Sequence, residues 1–249
     1  KYDRRWVIAA PTGQFMSQRN YPQMSLLRPE IQGEHILIRH LHDAREPLKL
    51  PLHYPEGKQA HVKVWKNQIR AVEGPAEANA WIADFLGEPA RFVYMPDGRR
   101  RIVDPKYAPD IESLSFADGF PHLVISEASL HDLNQRLETP VPMDRFRPNL
   151  VVAGSTAYAE DTWARFSIGE VEFAGRKPCS RCGMVTVSQD KGEKTADKEP
   201  FKTLGKYRRK DTSIFFGENL IHLMNGRIAV GDEIAVLETK PSPFGVEEN

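Results

Sequence analysis

The sequence predicts a mainly β, α+β chain made of two β-rich modules, and three observations carry that reading. Apolar residues recur in runs of about five, the usual length of a strand. Glycine and proline, 17 and 19 among 249 residues, break those runs as turn signals. Helical spacing of apolar residues shows in only two stretches. Many short strands with glycine punctuation point to a barrel or a sandwich decorated by short helices, preceded by a smaller β-rich module.

In chain order, Trp6-Val7-Ile8-Ala9-Ala10 and Gln14-Phe15-Met16-Ser17 flank Pro11-Thr12-Gly13, which predicts a hairpin. Short strands are predicted around His35-Ile36-Leu37-Ile38-Arg39, His61-Val62-Lys63-Val64-Trp65 and Arg91-Phe92-Val93-Tyr94-Met95. Pro75 to Leu86 predicts a helix, with proline in the first helical position, Trp81/Phe85 and Ile82/Leu86 four apart, and Gly87 as its stop. From Pro96 to Pro109 large apolar residues are few and Arg99-Arg100-Arg101 forms a basic run. A domain boundary is placed there, dividing the chain into residues 1–109, 110–240 and a C-terminal tail, 241–249.

Beyond it, His122-Leu123-Val124-Ile125 predicts a buried strand and Ser126 the N-cap of a helix carrying Leu130, Leu133 and Leu137. Strands follow at Leu150-Val151-Val152-Ala153, Ala164 to Ile168, Glu170-Val171-Glu172-Phe173, Met184-Val185-Thr186-Val187, Gly226 to Val230 and Glu233 to Leu237. Lys191 to Pro200, polar and rich in Lys and Glu, is expected to be an exposed hairpin loop.

Composition excludes several classes. Thirty-four Lys+Arg against 34 Asp+Glu leave no net charge, so the basic field on which non-specific nucleic-acid binding depends is missing, and no nucleic-acid partner is expected. No window approaches 18 consecutive apolar residues, and Lys1 to Pro11 lacks the pattern of a signal peptide, so a soluble chain without a membrane partner is expected. Two cysteines cannot build a disulfide framework or supply the four thiolates of an iron–sulfur cluster, which fits a reducing, cytoplasmic setting. Gly192 and Gly205 are isolated, and nothing resembles a dinucleotide or P-loop fingerprint.

Both cysteines fall in Lys177-Pro178-Cys179-Ser180-Arg181-Cys182. Arg176, Lys177 and Arg181 would favour a thiolate, the metal-ligating and reactive form. A single C-x-x-C is equally the pattern of two ordinary thiols at a strand edge. His40 and His42 alternate on one strand face, which suits chelation or a solvent-facing edge. Arg99-Arg100-Arg101 and Lys206-Tyr207-Arg208-Arg209-Lys210 suit docking of an acidic electron donor or a solvated surface.

The ordered set Phe116-Ala117-Asp118-Gly119-Phe120-Pro121, Ser126-Glu127-Ala128-Ser129-Leu130, Phe146-Arg147-Pro148-Asn149, Tyr158-Ala159-Glu160-Asp161-Thr162-Trp163, Cys179-Ser180-Arg181-Cys182, Glu199-Pro200-Phe201-Lys202-Thr203-Leu204 and Phe216-Gly217-Glu218-Asn219-Leu220 closely resembles the MOSC domain of molybdenum-cofactor proteins. It is most like the branch holding the mitochondrial amidoxime-reducing component and bacterial reductases of N-hydroxylated bases. Asp3-Arg4-Arg5-Trp6 and Ser17-Gln18-Arg19 resemble the opening of that branch's N-terminal module. The family's Lys-Ser strand that precedes this opening is not in this sequence, which starts at Lys1 and is read as part of a longer chain.

The resemblance implies a MOSC-type β-barrel, the molybdenum cofactor, and reduction of hydroxylaminopurines, amidoximes or hydroxamic acids. It implies that Cys182 is the thiolate ligand to molybdenum, a soft donor for that metal, and that Arg19, Ser126, Arg147, Asn149, Ser180 and Arg181 cradle the pterin and its phosphate. Asp118 would relay protons as a second catalytic residue, or simply form a turn before Gly119. Ser126 serves equally well as an N-cap, and Arg147 as a surface ion-pair residue. Electrons are expected from an external flavoprotein or small iron–sulfur carrier. Pyridoxal phosphate binding attaches to the family as a whole rather than to residues of this chain. Two other readings stay open: a sulfur carrier with a Cys182 persulfide, and a non-catalytic module that binds or delivers the cofactor.

Overall fold

The computed structural model describes residues 2–98, 101–108 and 113–245, and they divide into two compact units. Strands dominate both, with three short α-helices.

The first unit takes the chain up to Ile102 together with Ser113–Asp118 and Val187–Lys194. Its strands are β1 (Trp6–Ala9), β2 (Leu27–Gln32), β3 (His35–His40), β4 (Leu48–Pro51), β5 (Gln59–Val64), β6 (Asn67–Glu73), β7 (Arg91–Tyr94), β8 (Arg101–Ile102) and β9 (Ser113–Leu114), with the late hairpin β14 (Val187–Ser188) and β15 (Glu193–Lys194). They form a four-stranded sheet, β1-β7-β6-β5, a meander, β2-β3-β4, and two short pairs, β8-β9 and β14-β15. Strand β5 shows why. Ala60, Val62 and Val64 are buried while His61 and Lys63 face solvent, the two-residue period of a half-buried strand. Helix α1 (Ala76–Leu86) starts one residue later than its sequence suggests, with Pro75 as N-cap, and ends at Gly87, whose φ of 72° gives the left-handed cap. It buries Ala78 and Ile82 against Ile8, Leu48, Leu50 and Phe92.

The predicted hairpin between the first two apolar runs forms as a short arm around Pro11-Thr12-Gly13, with Ala10 N donating to Gln14 O at 2.9 Å and Met16 N to Ile8 O at 2.8 Å; the longer ladder of the first run is made elsewhere. Strand β1 pairs along its length with β7, Trp6 opposite Tyr94 and Ala9 opposite Arg91, and Phe15 contributes only a single bridge to Ala9. A four-residue ladder with a buried partner offers more hydrogen bonds and apolar contact than a two-strand ribbon on its own.

The second unit holds residues 103–108, 119–186 and 195–245 of the described chain. Strands β10 (His122–Ser126), β11 (Leu150–Val152), β12 (Trp163–Ile168), β13 (Val171–Arg181), β16 (Arg209–Lys210), β17 (Ser213–His222) and β18 (Ile234–Thr239) form a seven-stranded sheet, in the order β11-β10-β17-β13-β12-β18 with β16 on β17. Strand β10 reads as a continuous apolar run because both faces are covered. Leu123 and Ile125 pack on one side with Leu133, Phe146 and Phe216, and Val124 on the other with Phe166, Phe173 and Leu220. Helix α2 (Glu127–Gln135) carries the chain from β10 to the parallel β11.

Four expectations change in this unit. Glu170 to Phe173 leads into β13, an eleven-residue strand that continues through the cysteine motif. Met184 to Val187 forms a 3-10 turn over Gly183–Thr186, in which Val185 N donates to Cys182 O at 3.2 Å. Gly226 to Val230 joins no strand, because Ile228 alone packs on the core while Val230 is fully exposed. Leu137 lies beyond the end of α2 yet still packs on the core. Helix α3 (Phe201–Tyr207) was not legible, since Gly205 interrupts its short apolar pattern.

Gly217 sits in β17 at φ 80°, and a Cβ there would stand 2.6 Å from Ile125 Cγ1 and 2.8 Å from Val124 O. Gly217→Ala therefore combines a left-handed backbone with a backbone clash. It is expected to lower unfolding stability by about 1–3 kcal/mol, measurable as a reduced urea midpoint.

Candidate functional site

The cysteine motif occupies the far end of β13. Two register shifts against β17, between Gly175 and Lys177 and between Pro178 and Ser180, bend the strand as bulges do. The two thiols then meet different surroundings. Cys179 packs against the Phe146 and Phe216 cluster and its sulfur accepts from Arg181 Nη1 at 3.2 Å. Cys182, one residue beyond the strand, is half-buried, and among the described residues its sulfur has no hydrogen-bond partner. Arg181 spends Nη2 on Phe146 O, 2.7 Å away, and lies against the Phe146 ring, while its buried Nε has no partner. Ser180 is exposed. The missing Cβ of Gly183 faces open space.

The Phe146 to Asn149 segment is held at both ends. Asn149 N donates to Leu123 O at 2.9 Å, and Asn149 Oδ1 accepts from Leu123 N at 3.0 Å. Between these anchors Arg147 is exposed, with φ 54°, in a position before proline where extended backbone is favoured.

Ser126 has no surface open to a ligand. Its hydroxyl accepts from Ser129 N at 3.0 Å, the N-cap bond of α2, and lies 2.7 Å from Ser129 Oγ. Glu160 Oε1 receives both Ser126 N and Ser129 Oγ, at 3.1 and 2.8 Å. Ser126 is thus an N-cap in a buried polar network that its sequence context did not reveal. Two further buried carboxyls lie within electrostatic reach: Asp161, paired with Arg208 Nη2 at 2.7 Å, and Glu218, paired with Lys240 Nζ at 2.5 Å. Burial pushes the Asp161 carboxyl up to about 6 against the pull of Arg208. Burial likewise pushes Glu218 up to about 8, with Lys240 opposing. Tyr158, raised by burial and by neighbouring Tyr207, donates to Asp132 Oδ2 at 2.6 Å.

Asp118 and Arg19 belong to the first unit, and one side chain joins them. Trp65 Nε1 donates to Asp118 Oδ1, and Arg19 lies over the Trp65 ring, 5.2 Å from its centroid. Trp65 went unnoticed as a site residue because a lone tryptophan ending a strand pattern carries no motif. Arg101, buried at 7% exposure, donates to the carbonyls of Ser115, Ala117 and Asp118, and burial lowers its pKa.

One residue of each basic run is turned inward: Arg101 braces the loop that carries Asp118, and Arg208 is enclosed with Asp161. Lys206, Arg209 and Lys210 remain exposed, and Arg99 and Arg100 lie outside the described residues. The two histidines also part company. His40 Nδ1 accepts from the backbone N–H of His42 and Asp43, at 3.2 and 2.7 Å, and His42 Nε2 lies 2.5 Å from Asp190 O. No cluster of three potential ligands for a metal occurs among the described residues, nor does a helix long and apolar enough to cross a membrane.

The class is set by two β-rich units, the longest strand of the second leading directly into Cys182, half-buried and, among the described residues, without a hydrogen-bond partner. Family models match in the same order: the MOSC N-terminal beta barrel domain over residues 1–89 and the MOSC domain over residues 112–235. The chain belongs to the MOSC-domain family. It is 33% identical over 249 residues to mitochondrial amidoxime-reducing component 1 of Homo sapiens, covering 94% of this chain and 73% of that protein. It is 30% identical over 242 residues to the Danio rerio protein of the same name, covering 93% and 73%. To molybdenum cofactor sulfurase of Oryza sativa subsp. japonica it is 32% identical over 233 residues, which cover 87% of this chain but only 28% of the sulfurase.

The raised carboxyls give a stability prediction. Glu218 in the folded chain holds its proton up to about 8, whereas an ordinary glutamate releases it near 4.5. Between those values the native state binds the extra proton, so stability falls as pH rises through the window. Asp161 acts in the same sense between 3.8 and about 6. Denaturant midpoints are expected to decline from pH 5 to pH 8, and Glu218→Gln to flatten the upper part of that decline.

Proposed function

We propose that this chain is a molybdenum-cofactor-dependent reductase of N-hydroxylated compounds, with the Cys182 thiolate as the protein ligand to the metal. The observation that carries this reading is the contrast between the thiols: Cys179 is engaged by Arg181, whereas the Cys182 sulfur is half-buried and uncommitted beside the open space at Gly183. A soft thiolate donor would complete a coordination sphere otherwise made by the pterin dithiolene and oxo groups, and a cationic neighbour suits the pterin phosphate. The similarity to the amidoxime-reducing components supports the reductase assignment.

The residues sort by what they have to offer. Exposed Arg147 and Ser180 and half-buried Arg19 present donors to the cofactor's phosphate and pterin. Ser126, Asn149 and Arg181 act through the backbone they hold: the N-cap of α2, the clamp on Leu123 and the tie to Phe146. When bound, the cofactor supplies the two-electron reduction in which N–OH and two protons become N–H and water. Asp118, on the loop braced by Arg101, holds and delivers a proton to the departing oxygen. The two electrons come from a separate flavoprotein or small iron–sulfur protein.

A second reading, a sulfur carrier with a persulfide on Cys182, is favoured by the match to the plant sulfurases. One experiment separates the two. In protein from a host that makes the cofactor, wild type is expected to carry near-stoichiometric molybdenum and pterin. Cys182→Ala should fold normally and lose metal by more than about a hundredfold, beyond the roughly 10–100-fold loss typical of an outer-shell change. Wild type free of both metal and pterin, with persulfide on Cys182, would replace the reductase reading with the sulfur carrier.

A further inference from the structure

The tip of the β5-β6 hairpin carries the largest residue of the chain where the backbone asks for the smallest. Val64 pairs with Asn67, so Trp65 and Lys66 form a two-residue turn, and Trp65 alone takes a positive φ, 53°. In two-residue hairpin turns a left-handed first residue is normally glycine, and a bulky side chain there is an outlier. Nor does burial explain the tryptophan, since 43% of it is exposed. Such outliers persist where the surroundings hold them for another purpose.

The surroundings show the purpose. Phe15 meets the Trp65 ring edge-on, with centroids 5.2 Å apart at 67°. Phe15 is itself fixed by its N–H to Lys63 O, 3.3 Å. Arg19 lies over the indole at 5.2 Å, in the arrangement by which an aromatic face attracts a cation. The indole N–H donates to Asp118 Oδ1, and Arg101 secures the same loop through Asp118 O at 3.0 Å. One rigid side chain therefore touches the two charged residues of the first unit assigned to the reaction, a cation by its face and a carboxylate by its edge.

We infer that Trp65 is a positioning residue: its indole N–H orients the Asp118 carboxylate for proton delivery, and its ring holds the Arg19 guanidinium ready for the cofactor phosphate. The inference rests on the proposed reductase function and adds a residue to it. The two contacts are separable by substitution. Trp65→Phe keeps a ring for Arg19 and Phe15 but deletes the donor, whereas Trp65→Leu deletes both.

The contact is tested first in metal-free protein by the 15N–1H spectrum of the indole groups. The Trp65 signal, identified as the one lost in Trp65→Phe, is expected to move in Asp118→Asn; an unmoved signal overturns the inference. Cofactor content and steady-state reduction of an aryl amidoxime by reduced viologen are then measured on protein from a cofactor-making host. Trp65→Phe should keep wild-type molybdenum and pterin and an unchanged KM, with kcat lowered about tenfold, a modest share of what a positioned proton donor contributes. Trp65→Leu should lose cofactor as well. In the Asp118→Asn background Trp65→Phe should have no further effect, because a positioning residue acts only through its target. Full kcat in Trp65→Phe, or independent losses in the double variant, would overturn the role of Trp65 alone. Loaded wild type that turns over no N-hydroxylated compound would instead overturn the reductase reading, and this role with it.

Discussion

Three carboxyl side chains without solvent exposure, Glu160, Asp161 and Glu218, lie in the second unit, two of them against buried Arg208 and partly buried Lys240. A buried polar or charged group is tolerated only when it is paired or hydrogen-bonded, and removing one partner leaves the other stranded. Each of these side chains therefore ties down the element that carries it. Glu160 joins the 3-10 turn before β12 to the first turn of α2 through Ser126 and Ser129. Asp161 binds Arg208 at the end of α3. Glu218, within β17, binds Lys240 just past β18, and Lys240 also donates to Gly175 O on β13 at 2.9 Å. The core is pinned by polar contacts spread over elements far apart in sequence, and apolar packing fills the space between them.

That arrangement sets the course of β13. At Gly175 a Cβ would stand 2.1 Å from Trp163 O and 3.3 Å from both Glu218 Cγ and Lys240 Nζ, so only glycine lets the strand pass this close to the ion pair. The register shift that follows Gly175 turns the remaining residues, Lys177 to Arg181, away from the ideal ladder. Cys182 then lies past the last paired residue, Arg181, opposite Ile214. The two thiols thus meet different surroundings because the strand bends at both register shifts, the second of them within the cysteine motif, and because Arg181 engages Cys179 while Cys182 lies past the paired residues.

The mainly β architecture was legible because its signals are local: the alternation in β5, the apolar run of β10, the Ser126 N-cap and the Gly87 stop each depend on a few neighbouring residues. What escaped was decided by distant partners. The pairing of β1 with β7 joins residues some eighty positions apart, and Arg101 and Arg208 look like surface charges until Asp118 and Asp161 are placed beside them. The site divides in the same way. The cysteine motif and the ordered family motifs pointed to candidate residues, and the N-cap role of Ser126 was legible, but nothing in the sequence showed that Ser126 also joins Ser129 and Glu160, that Asn149 clamps Leu123, or that Cys179 is engaged by Arg181.

Backbone strain follows the same division between frame and surface. Arg147 and Trp65 both adopt left-handed backbone, φ 54° and 53°, a conformation that Asn and Asp, with short side chains able to bond the local backbone, reach more cheaply. Arg147 is held there by neighbours on both sides, Phe146 sunk in the core and Asn149 clamped to β10. Trp65 is held by the tight turn beneath it and by Phe15, Arg19 and Asp118 around it. In both places rigid structure on either side holds one long side chain in place at a cost in backbone energy. A fold selected for stability alone would place glycine or asparagine at these two positions. That the chain places an arginine and a tryptophan there argues that the side chains, not the turns, are what these loops exist to display.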